Sequence, residues 1–366
     1  MNQLGQLIFT GIKGTSLLPE EKTFIEKEDI GGVILFSQNF ESPAQLAELT
    51  NQIQTLRKEY PLFIAVDHEG GRVIRFKTHF TQFPSMLDIS LTDSPKLCFE
   101  MTRIIAMELK ACGVNLNLAP VCDIFTNPKN KVIGDRAFGS TEEIVSKFIT
   151  AMIRGLQTHE LLSCAKHFPG HGDTSKDSHY DLPYVTKSLD ELKQQEFQPF
   201  IKAVKARVEL IMMAHLVVDA IDKELPTSLS PKAYEIIRRD FKYNKLIITD
   251  DMQMKAIEDH FSVEEAAVRA IVAGADLIEY RDMEYAQRAL EALKEASKTK
   301  KLKNTAVTEK LNRILEAKKL YLKEYKPNYI PDISKSLGLA SSQRFLSDLN
   351  KLIADKKTQL PADSRQ

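Results

Sequence analysis

The sequence predicts an α/β fold of one large domain, a (β/α)8 TIM-type barrel followed by a helical tail. Three observations point to it. The chain has 366 residues, 43% of them apolar and 27% charged, which is enough to bury one large core. Short apolar runs recur along most of the chain, and segments with apolar residues at helical spacing lie between them. A strand followed by a helix, repeated about eight times, is typical of this barrel.

The predicted strands carry little polar alternation, as expected for parallel strands that are buried on both faces. In chain order they are residues 7–10, 32–36, 62–66, 115–119, 162–165, 210–213, 246–249 and 276–278. The helical pattern between them is clearest in residues 44–56, 96–112, 142–157, 188–204 and 263–273. An open, doubly wound sheet is the competing architecture, but no Gly-rich phosphate-binding turn follows an early strand. The barrel is therefore favoured.

The last part of the chain differs from the rest. Residues 306–325 predict one more long helix, after which Pro327 and Pro331 interrupt the pattern. Residues 341–354 again carry apolar side chains at amphipathic spacing, and the final KKTQLPADSRQ is polar and expected to be disordered. We therefore divide the chain into a barrel domain, residues 1–325, and a tail, residues 326–366. The tail is expected to pack on the barrel; a partner-binding helix is the alternative.

Composition excludes several classes of protein. Lys plus Arg and Asp plus Glu both number 50, and this balance argues against binding to nucleic acid or to an anionic membrane. No run approaches the roughly 18 apolar residues that span a bilayer, and the N-terminus lacks a signal-peptide pattern. The cysteines form no CxxC pair, which indicates buried thiols in a reducing compartment: Cys98, Cys112, Cys122 and Cys164. We expect a cytoplasmic monomer.

Polar residues stand where four predicted strands end, which is where the reactive groups of such a barrel collect. Charged groups that directly follow apolar strands are costly to bury without a partner or a ligand. A single case is compatible with a structural ion pair, but four cases converging on one barrel face favour a polar active site. These residues are Asp67, the pair Lys166 and His167, His215, and the pair Asp250 and Asp251.

The segment KHFPGHGDTSKDSH, residues 166–179, permits two interpretations. Its imidazoles and carboxylates suit a zinc or iron ion, although Pro169 and the glycines make the segment a loop rather than a helix. Alternatively, residues two apart in an extended stretch share a face, so Asp177 could bond the ring of His179 and fix its tautomer. The spacing alone favours neither. The metal interpretation would use His167, His171, Asp173, Asp177 and His179.

Several motifs in order along the chain carry a resemblance to a known family. They are DHEGGRVIRF, GVNLNLAPVCDI, VIGDRAFGS, KHFPGHGDTSKDSH and IITDDMQM. Together they resemble glycoside hydrolase family 3, and more narrowly its single-domain bacterial β-N-acetylglucosaminidases of peptidoglycan recycling. The resemblance covers roughly residues 1 to 325. It implies a (β/α)8 barrel, no metal or other cofactor, and release of terminal β-linked GlcNAc from GlcNAc-anhydroMurNAc-peptides with retention of configuration.

The resemblance also implies roles for single residues. Asp250 matches the nucleophile, His179 the general acid/base and Asp177 the partner of that histidine, which favours the Asp–His pair over a metal site. The positions that match sugar-holding residues are Asp67, Arg75, Arg136, Lys166 and His167. Two departures are His68, where the family commonly has Gln, and Thr249, where Ser is usual.

The implied chemistry is physically reasonable. A retaining glycosidase needs a rigid carboxylate nucleophile and an acid/base group across the scissile bond. Histidine titrates near neutrality without any environmental shift, which suits His179 to the second role. We expect Asp251 to cap a helix or bond nearby backbone, and His215 to support the pocket. The chain has no tryptophan to stack a long polysaccharide, so an exo-acting pocket for one sugar is favoured.

Three other functions remain as alternatives. A family-3 β-glucosidase is the nearest, although those enzymes usually carry a second α/β domain that contributes the acid/base, whereas here the His loop is internal to the predicted barrel. The others are a metal-dependent hydrolase that uses the His/Asp loop, and a catalytically silent sugar-binding barrel.

Overall fold

The computed structural model describes residues 3–174 and 182–359. Eight parallel strands close into a barrel in which each strand pairs with its neighbours in the chain and the last pairs with the first. This arrangement is the predicted (β/α)8 barrel. The strands are β1 (Ile8–Thr10), β2 (Gly32–Leu35), β3 (Phe63–Val66), β4 (Leu116–Asn117), β5 (Leu162–Phe168), β6 (Leu210–Met213), β7 (Leu246–Asp251) and β8 (Leu277–Tyr280).

All eight predicted strands are confirmed, with shifts at their ends. The strands β5 and β7 run farther than predicted, because the extended backbone continues through polar residues that the apolar pattern had excluded. The strand β4 is shorter than predicted. Its neighbour Asn115 bonds the backbone of the adjacent strand through its side chain, with Ile64 N donating to Oδ1 at 2.7 Å. Pro120 follows soon after and has no N–H to donate to a ladder.

Helices surround the barrel, and in the part of the chain that the structure describes none has both the length and the apolar character needed to cross a bilayer. The helical prediction for residues 188–204 is wrong in one respect, because two helices stand there. Pro199 has no N–H to donate to the carbonyl of Gln195 and its ring crowds that carbonyl, which favours a break in the helix there. The α-helices are α1 (Pro19–Glu28), α2 (Pro43–Thr55), α3 (Met86–Ser90), α4 (Pro95–Ala111), α5 (Glu142–Gln157), α6 (Leu189–Gln194), α7 (Phe197–Lys205), α8 (Pro231–Glu235), α9 (Lys255–Glu258), α10 (Val263–Ala273), α11 (Met283–Lys298), α12 (Asn304–Ala317) and α13 (Ala340–Gln359).

A small hairpin follows β3 and shapes the barrel mouth. Its strands His68–Gly70 and Val73–Ile74 pair antiparallel across a tight turn. Gly71 has a φ of +56°, and a Cβ there would lie 2.8 Å from the Cα of Ser85, so the turn requires glycine. By folding back, the hairpin returns the chain to the end of β3.

The tail packs on the barrel. Leu337, Leu349 and Ile353 are buried in the same apolar cluster as the barrel core, and the ring of Phe345 contacts that of Phe83 at 6.2 Å between centroids. The expectation of disorder from residue 356 onward is wrong for the first four residues, which form the end of α13. An ion pair of 2.5 Å between Lys357 Nζ and Asp88 Oδ1 attaches this end to α3. Residues 360–366 lie outside the described residues.

These contacts predict that the tail and the barrel unfold together. We expect Leu349→Ala to lower the free energy of unfolding of the whole chain by about 2–5 kcal/mol, because a buried leucine would be replaced by a cavity. Leu320→Ala, at a side chain that is 64% exposed, is the control and should change it by less than about 0.5 kcal/mol. Urea unfolding followed by near-UV circular dichroism measures both. A separate transition for the tail, with the barrel transition unmoved, would contradict the prediction.

Candidate active site

The carboxyl ends of the barrel strands bring the predicted polar residues to one mouth. Register pairs Ala65 with Leu116 and Leu116 with Leu162, so these three side chains point to the same side of the barrel wall. Asp67 lies two residues beyond Ala65 and Lys166 four beyond Leu162. Because side chains alternate along a strand, both point into the barrel at its mouth.

Lys166 lies at the centre of an ion network. Its Nζ is 2.7 Å from Asp67 Oδ1 and 2.7 Å from Glu69 Oε1, and only 2% of the side chain is exposed. Arg75 Nη2 donates to the other oxygen of Asp67 at 2.9 Å. Arg136 donates to both oxygens of Glu69, at 2.8 and 2.9 Å. Three cations and two carboxylates therefore form a continuous chain, and it contains four of the predicted sugar-holding residues.

The pKa values of this network follow from its contacts. Burial alone would raise the pKa of Glu69, but Lys166 and Arg136 more than offset it and lower the pKa to about 2. Burial likewise opposes the charge on Lys166, and the carboxylates of Asp67 and Glu69 nevertheless raise its pKa above the usual value. Asp67 has its pKa lowered in the same way, against burial, by Lys166 and Arg75. All three groups are therefore ionised at neutral pH.

His167 is held by a carboxylate that the sequence did not single out. Its Nδ1 lies 2.7 Å from Oδ2 of the fully buried Asp123, and Arg136 Nη2 lies 3.4 Å from its Nε2. A guanidinium only donates, so Nε2 accepts and the ring proton is on Nδ1, where it is donated to Asp123. Asp123 Oδ1 also accepts from the backbone N–H of His171 at 2.8 Å. One buried aspartate thus fixes both the His167 ring and the start of the following loop.

The two aspartates at the end of β7 have different surroundings. Asp251 Oδ1 accepts from the backbone N–H of Gln253 at 2.9 Å, and Oδ2 lies 2.7 Å from Arg281 Nε. The expectation that Asp251 bonds nearby backbone is confirmed. Burial raises the pKa of Asp251 to about 6, against the opposing effects of Gln253 and Arg281. Asp250 Oδ1 accepts from the N–H of Asp251 at 2.8 Å, while no described residue donates to its Oδ2.

His215 and His68 take structural positions. His215 Nδ1 lies 2.7 Å from Ser228 Oγ, and its Nε2 lies 3.0 Å from the carbonyl oxygen of Asp251, so it braces the end of β7. His68 is buried with its ring packed against Phe76 and Phe80, at 5.9 and 5.8 Å between centroids. Burial, together with the positive charge of Arg75, lowers the pKa of His68 to about 3. Its ring is therefore neutral at pH 7 and packs as an aromatic side chain.

Asp177 and His179 lie outside the described residues, but the residues on either side of that segment are placed. Asn127 Nδ2 donates to the carbonyl of Thr174 at 3.0 Å. Leu182 packs with Val217 and with Ala256 of α9. Among the described residues no group of three or more His, Cys, Asp or Glu side chains has an arrangement suited to a metal ion.

The ion network predicts a large loss of stability when its central cation is removed. Lys166→Met would leave the carboxylates of Asp67 and Glu69 partly unpaired in a buried site, at a cost of about 3–5 kcal/mol in the free energy of unfolding. Lys147→Met is the control, because Lys147 forms an exposed pair with Asp93 and should cost less than about 1 kcal/mol. Denaturant unfolding at pH 7 measures both. Equal losses in the two variants would show that the network is not desolvated.

Comparisons with known proteins show which family the chain resembles. A model described as the glycosyl hydrolase family 3 N terminal domain matches residues 1–317. A β-hexosaminidase of Alkalilimnicola ehrlichii is 38% identical over 282 residues, 75% of this chain and 80% of that protein. One from Nitrosomonas eutropha is 36% identical over 282 residues, with the same coverage of 75% and 80%.

Solved structures of the same family superpose over nearly the whole chain. A family 3 β-N-acetylglucosaminidase from Paenibacillus sp. str. FPU-7 has a TM-score of 0.92 and 32% identity, and the match covers 96% of this chain and 68% of that one. NagZ from Neisseria gonorrhoeae, in complex with N-trifluoroacetyl-D-glucosamine, has a TM-score of 0.77 and 29% identity, covering 95% and 98%. The chain therefore belongs to glycoside hydrolase family 3 and is a glycosidase.

Proposed function

We propose that this glycosidase is a retaining exo-β-N-acetylglucosaminidase that removes terminal, non-reducing β-linked GlcNAc from peptidoglycan fragments such as GlcNAc-anhydroMurNAc-peptides. The observation that carries the proposal is the placement of Asp250. It is the second-last residue of the strand β7, with one carboxylate oxygen held by the backbone and the other without a donor among the described residues. The names of the relatives, β-hexosaminidase and β-N-acetylglucosaminidase, support the choice of sugar.

The ion network supplies the groups that recognise one sugar. Each carboxylate oxygen of Asp67 has a further lone pair with which to accept a hydroxyl proton, and Arg75 and Lys166 orient that carboxylate. The guanidinium of Arg136 adds donors beside it, and its Nη2 contacts the ring of His167. Because these side chains hold one another rigidly, little ordering remains to be done when the sugar binds. Such a preformed pocket suits a single terminal residue of fixed configuration.

Asp250 would act as the nucleophile. Its free oxygen attacks the anomeric carbon, the bond to the leaving oxygen breaks, and a covalent glycosyl–aspartate forms. His179 donates a proton to the leaving oxygen, with Asp177 fixing its tautomer, and then removes a proton from the water that hydrolyses the intermediate. The net result is retention, since the anomeric carbon is inverted twice.

The placed ends of the segment from 175 to 181 favour this use of the Asp177–His179 pair. One end, at Thr174, is attached to the loop after β4, and the other, at Leu182, packs on α9, which follows β7. Both ends therefore lie at the carboxyl end of the barrel, on the side where Asp250 is found.

Release of p-nitrophenol from β-GlcNAc and β-glucoside substrates, each with EDTA present, tests the proposal. We expect turnover that is selective for GlcNAc and unaffected by the chelator. Preference for the glucoside would indicate a family-3 β-glucosidase, and loss of activity with EDTA would indicate a metal-dependent hydrolase. No turnover of either substrate would indicate a silent binding barrel. Mass spectrometry of GlcNAc-anhydroMurNAc-peptides after incubation then tests the natural substrate, with loss of one terminal GlcNAc as the expected product.

The proposal also includes a cellular setting. A chain with balanced charge and four free buried thiols suits a cytoplasmic monomer. Its partner would be a small-molecule sugar rather than nucleic acid or membrane. Fractionation of cells that contain the protein tests its location. Light scattering of the purified chain tests its oligomeric state.

A further inference from the structure

Glu279 on β8 is a glutamate inside the barrel that none of the roles above uses. Its Cα partner on β1 is Phe9, whose ring contacts that of Phe63 at 5.7 Å between centroids. Phe63 lies four residues before Asp67 on β3, so it points to the same, interior face. Partners in neighbouring parallel strands point to the same side of a sheet, and Glu279 therefore also points into the barrel.

The register places Glu279 opposite Asp251, the residue that follows the candidate nucleophile. Ile248 on β7 pairs with Leu277 on β8, and the next pair along the same two strands is Asp251 with Glu279. The strand β7 thus has one more residue than β8 between these pairs, which is a β-bulge. Bulges re-aim side chains next to active sites. Here the bulge lies at Thr249 and Asp250, so that Asp251 is opposite Glu279 and Asp250 is the residue before that pair, on strands that are about 4.8 Å apart.

The carboxyl group of Glu279 is buried and only partly satisfied. The residue is 3% exposed, and its Oε2 has no hydrogen-bond partner among the described residues. A buried, unpartnered carboxylate oxygen is far more costly than a buried carboxylic acid, which carries no charge and has a proton to donate. Burial thus favours the protonated form.

The charges that face Glu279 favour the same form. Asp67, which directly follows β3, and Asp250 and Asp251 from β7 are acidic, while the thiol of the buried Cys164 on β5 has a raised pKa and carries no charge at neutral pH. Lys166 is the cation within reach, but Asp67 and Glu69 already pair with it. Burial and then the three aspartates raise the pKa of Glu279 well above its usual value.

We propose that Glu279 is a positioning residue for the nucleophile: a neutral carboxylic acid that donates its proton, directly or across one water, to the carboxylates at the end of β7 and so keeps Asp250 ionised. This inference rests on the proposed function, in which Asp250 must be negative to attack. Donation of a hydrogen bond stabilises the carboxylate form, and an ionised Glu279 would do the opposite by repulsion. The proton remains in the hydrogen bond between Glu279 and the carboxylates at the end of β7, and Glu279 makes no bond to the sugar.

The protonation state is tested directly. In the protein labelled with ¹³C at the glutamate carboxyl, we expect one resonance of a protonated acid at pH 7 that is missing from Glu279→Gln. Stability provides a second measure. Above about pH 4.5 an unfolded glutamate loses its proton while a folded one with a raised pKa keeps it, so the stability of the wild type falls as pH rises toward the folded pKa. The melting temperature of Glu279→Gln, relative to wild type, should therefore rise between pH 4 and pH 7.

The positioning role is tested by the acid limb of kcat/KM, measured with whichever aryl glycoside the wild type cleaves. Glu279→Gln keeps a neutral donor. We expect its acid limb to stay at the pH of the wild type and its kcat to stay within about threefold. Glu279→Leu removes the donor, and we expect its acid limb to move up by about one pH unit, because one hydrogen bond to a charged group is lost. Glu209→Gln is the matched control, a buried glutamate at the opposite end of the barrel that bonds Ser163, and its limb should not move.

Three results would overturn the inference. They are a Glu279 carboxyl group that is ionised at pH 7, an acid limb of kcat/KM in Glu279→Leu at the same pH as in the wild type, and a loss of kcat of more than tenfold in Glu279→Gln. The carboxyl resonance and the melting temperatures do not depend on turnover. Failure of the GlcNAc assay would therefore refute the proposed function while leaving this inference to be decided by its own measurements.

Discussion

Asp250→Ala is expected to lower kcat/KM on p-nitrophenyl-β-GlcNAc by about 10⁴-fold or more, with little change in the melting temperature. The reason is that covalent catalysis loses its nucleophile, and no other group takes over a role that depends on one oxygen aimed at one carbon. Steady-state kinetics with an active-site titration of the wild type measures the loss. Added azide should restore part of the rate by filling the space of the missing carboxylate, and the product should be the α-glycosyl azide.

Asp251→Asn is the matched control for this variant. Asp251 has its oxygens engaged by Gln253 and Arg281, and an asparagine preserves the acceptor for the backbone bond. We therefore expect this variant to keep activity within about tenfold of wild type. Full activity in Asp250→Ala combined with a large loss in Asp251→Asn would mean that the two aspartates have each other's roles.

His179→Ala is expected to lower kcat/KM by about 10²–10⁴-fold on a disaccharide substrate, because general acid catalysis of a poor leaving group is lost. The loss should be much smaller on a dinitrophenyl glycoside, whose leaving group departs without protonation. The alkaline limb of the pH profile should disappear as well, since it reports loss of the proton from His179. Asp177→Asn should give a smaller loss of the same kind, because it orients the ring without supplying the proton. Rates on substrates of graded leaving-group pKa measure these effects.

The control for His179 is His171→Asn, in the same loop. His171 has its Nδ1 3.0 Å from Thr174 Oγ1 and is buried, so a structural cost without any dependence on the leaving group is expected. Equal losses of His179→Ala on all leaving groups would contradict the acid/base role. A loss that is restored by added zinc or iron would instead support the metal interpretation of the loop.

The barrel could be predicted from the sequence because each strand is an apolar run and each connection has a helical period. The errors in the predicted bounds of strands and helices have local causes. The apolar pattern could not show that β5 and β7 continue through Lys166 and Asp250, since polar residues at a barrel mouth keep extended backbone. The break between α6 and α7 could have been predicted from Pro199, because a proline inside a helix kinks or breaks it.

The site was predicted less completely than the fold. Asp67, Arg75, Arg136, Lys166 and His167 meet at one mouth, as expected, but Glu69 and Asp123 were missed although both stand in the quoted motifs. Their importance comes from partners that are far away in the chain, Arg136 for Glu69 and His167 for Asp123, which only the fold brings near. For Asp123 the available signal was a charged residue in a motif that carries no other charge, whereas Glu69 stands among the charged residues of its own motif. Glu279 gave the same signal within the apolar run of β8.

The central claim, that Asp250 forms a covalent bond to the sugar, is tested most directly by trapping the intermediate. A 5-fluoro derivative of β-GlcNAc fluoride slows both steps and lets the glycosyl-enzyme accumulate, and peptide mass spectrometry then locates the added sugar. We expect one sugar per chain, on Asp250, and none in Asp250→Ala. A sugar on Asp251 or on any other residue, or normal turnover with no accumulated adduct, would contradict the account.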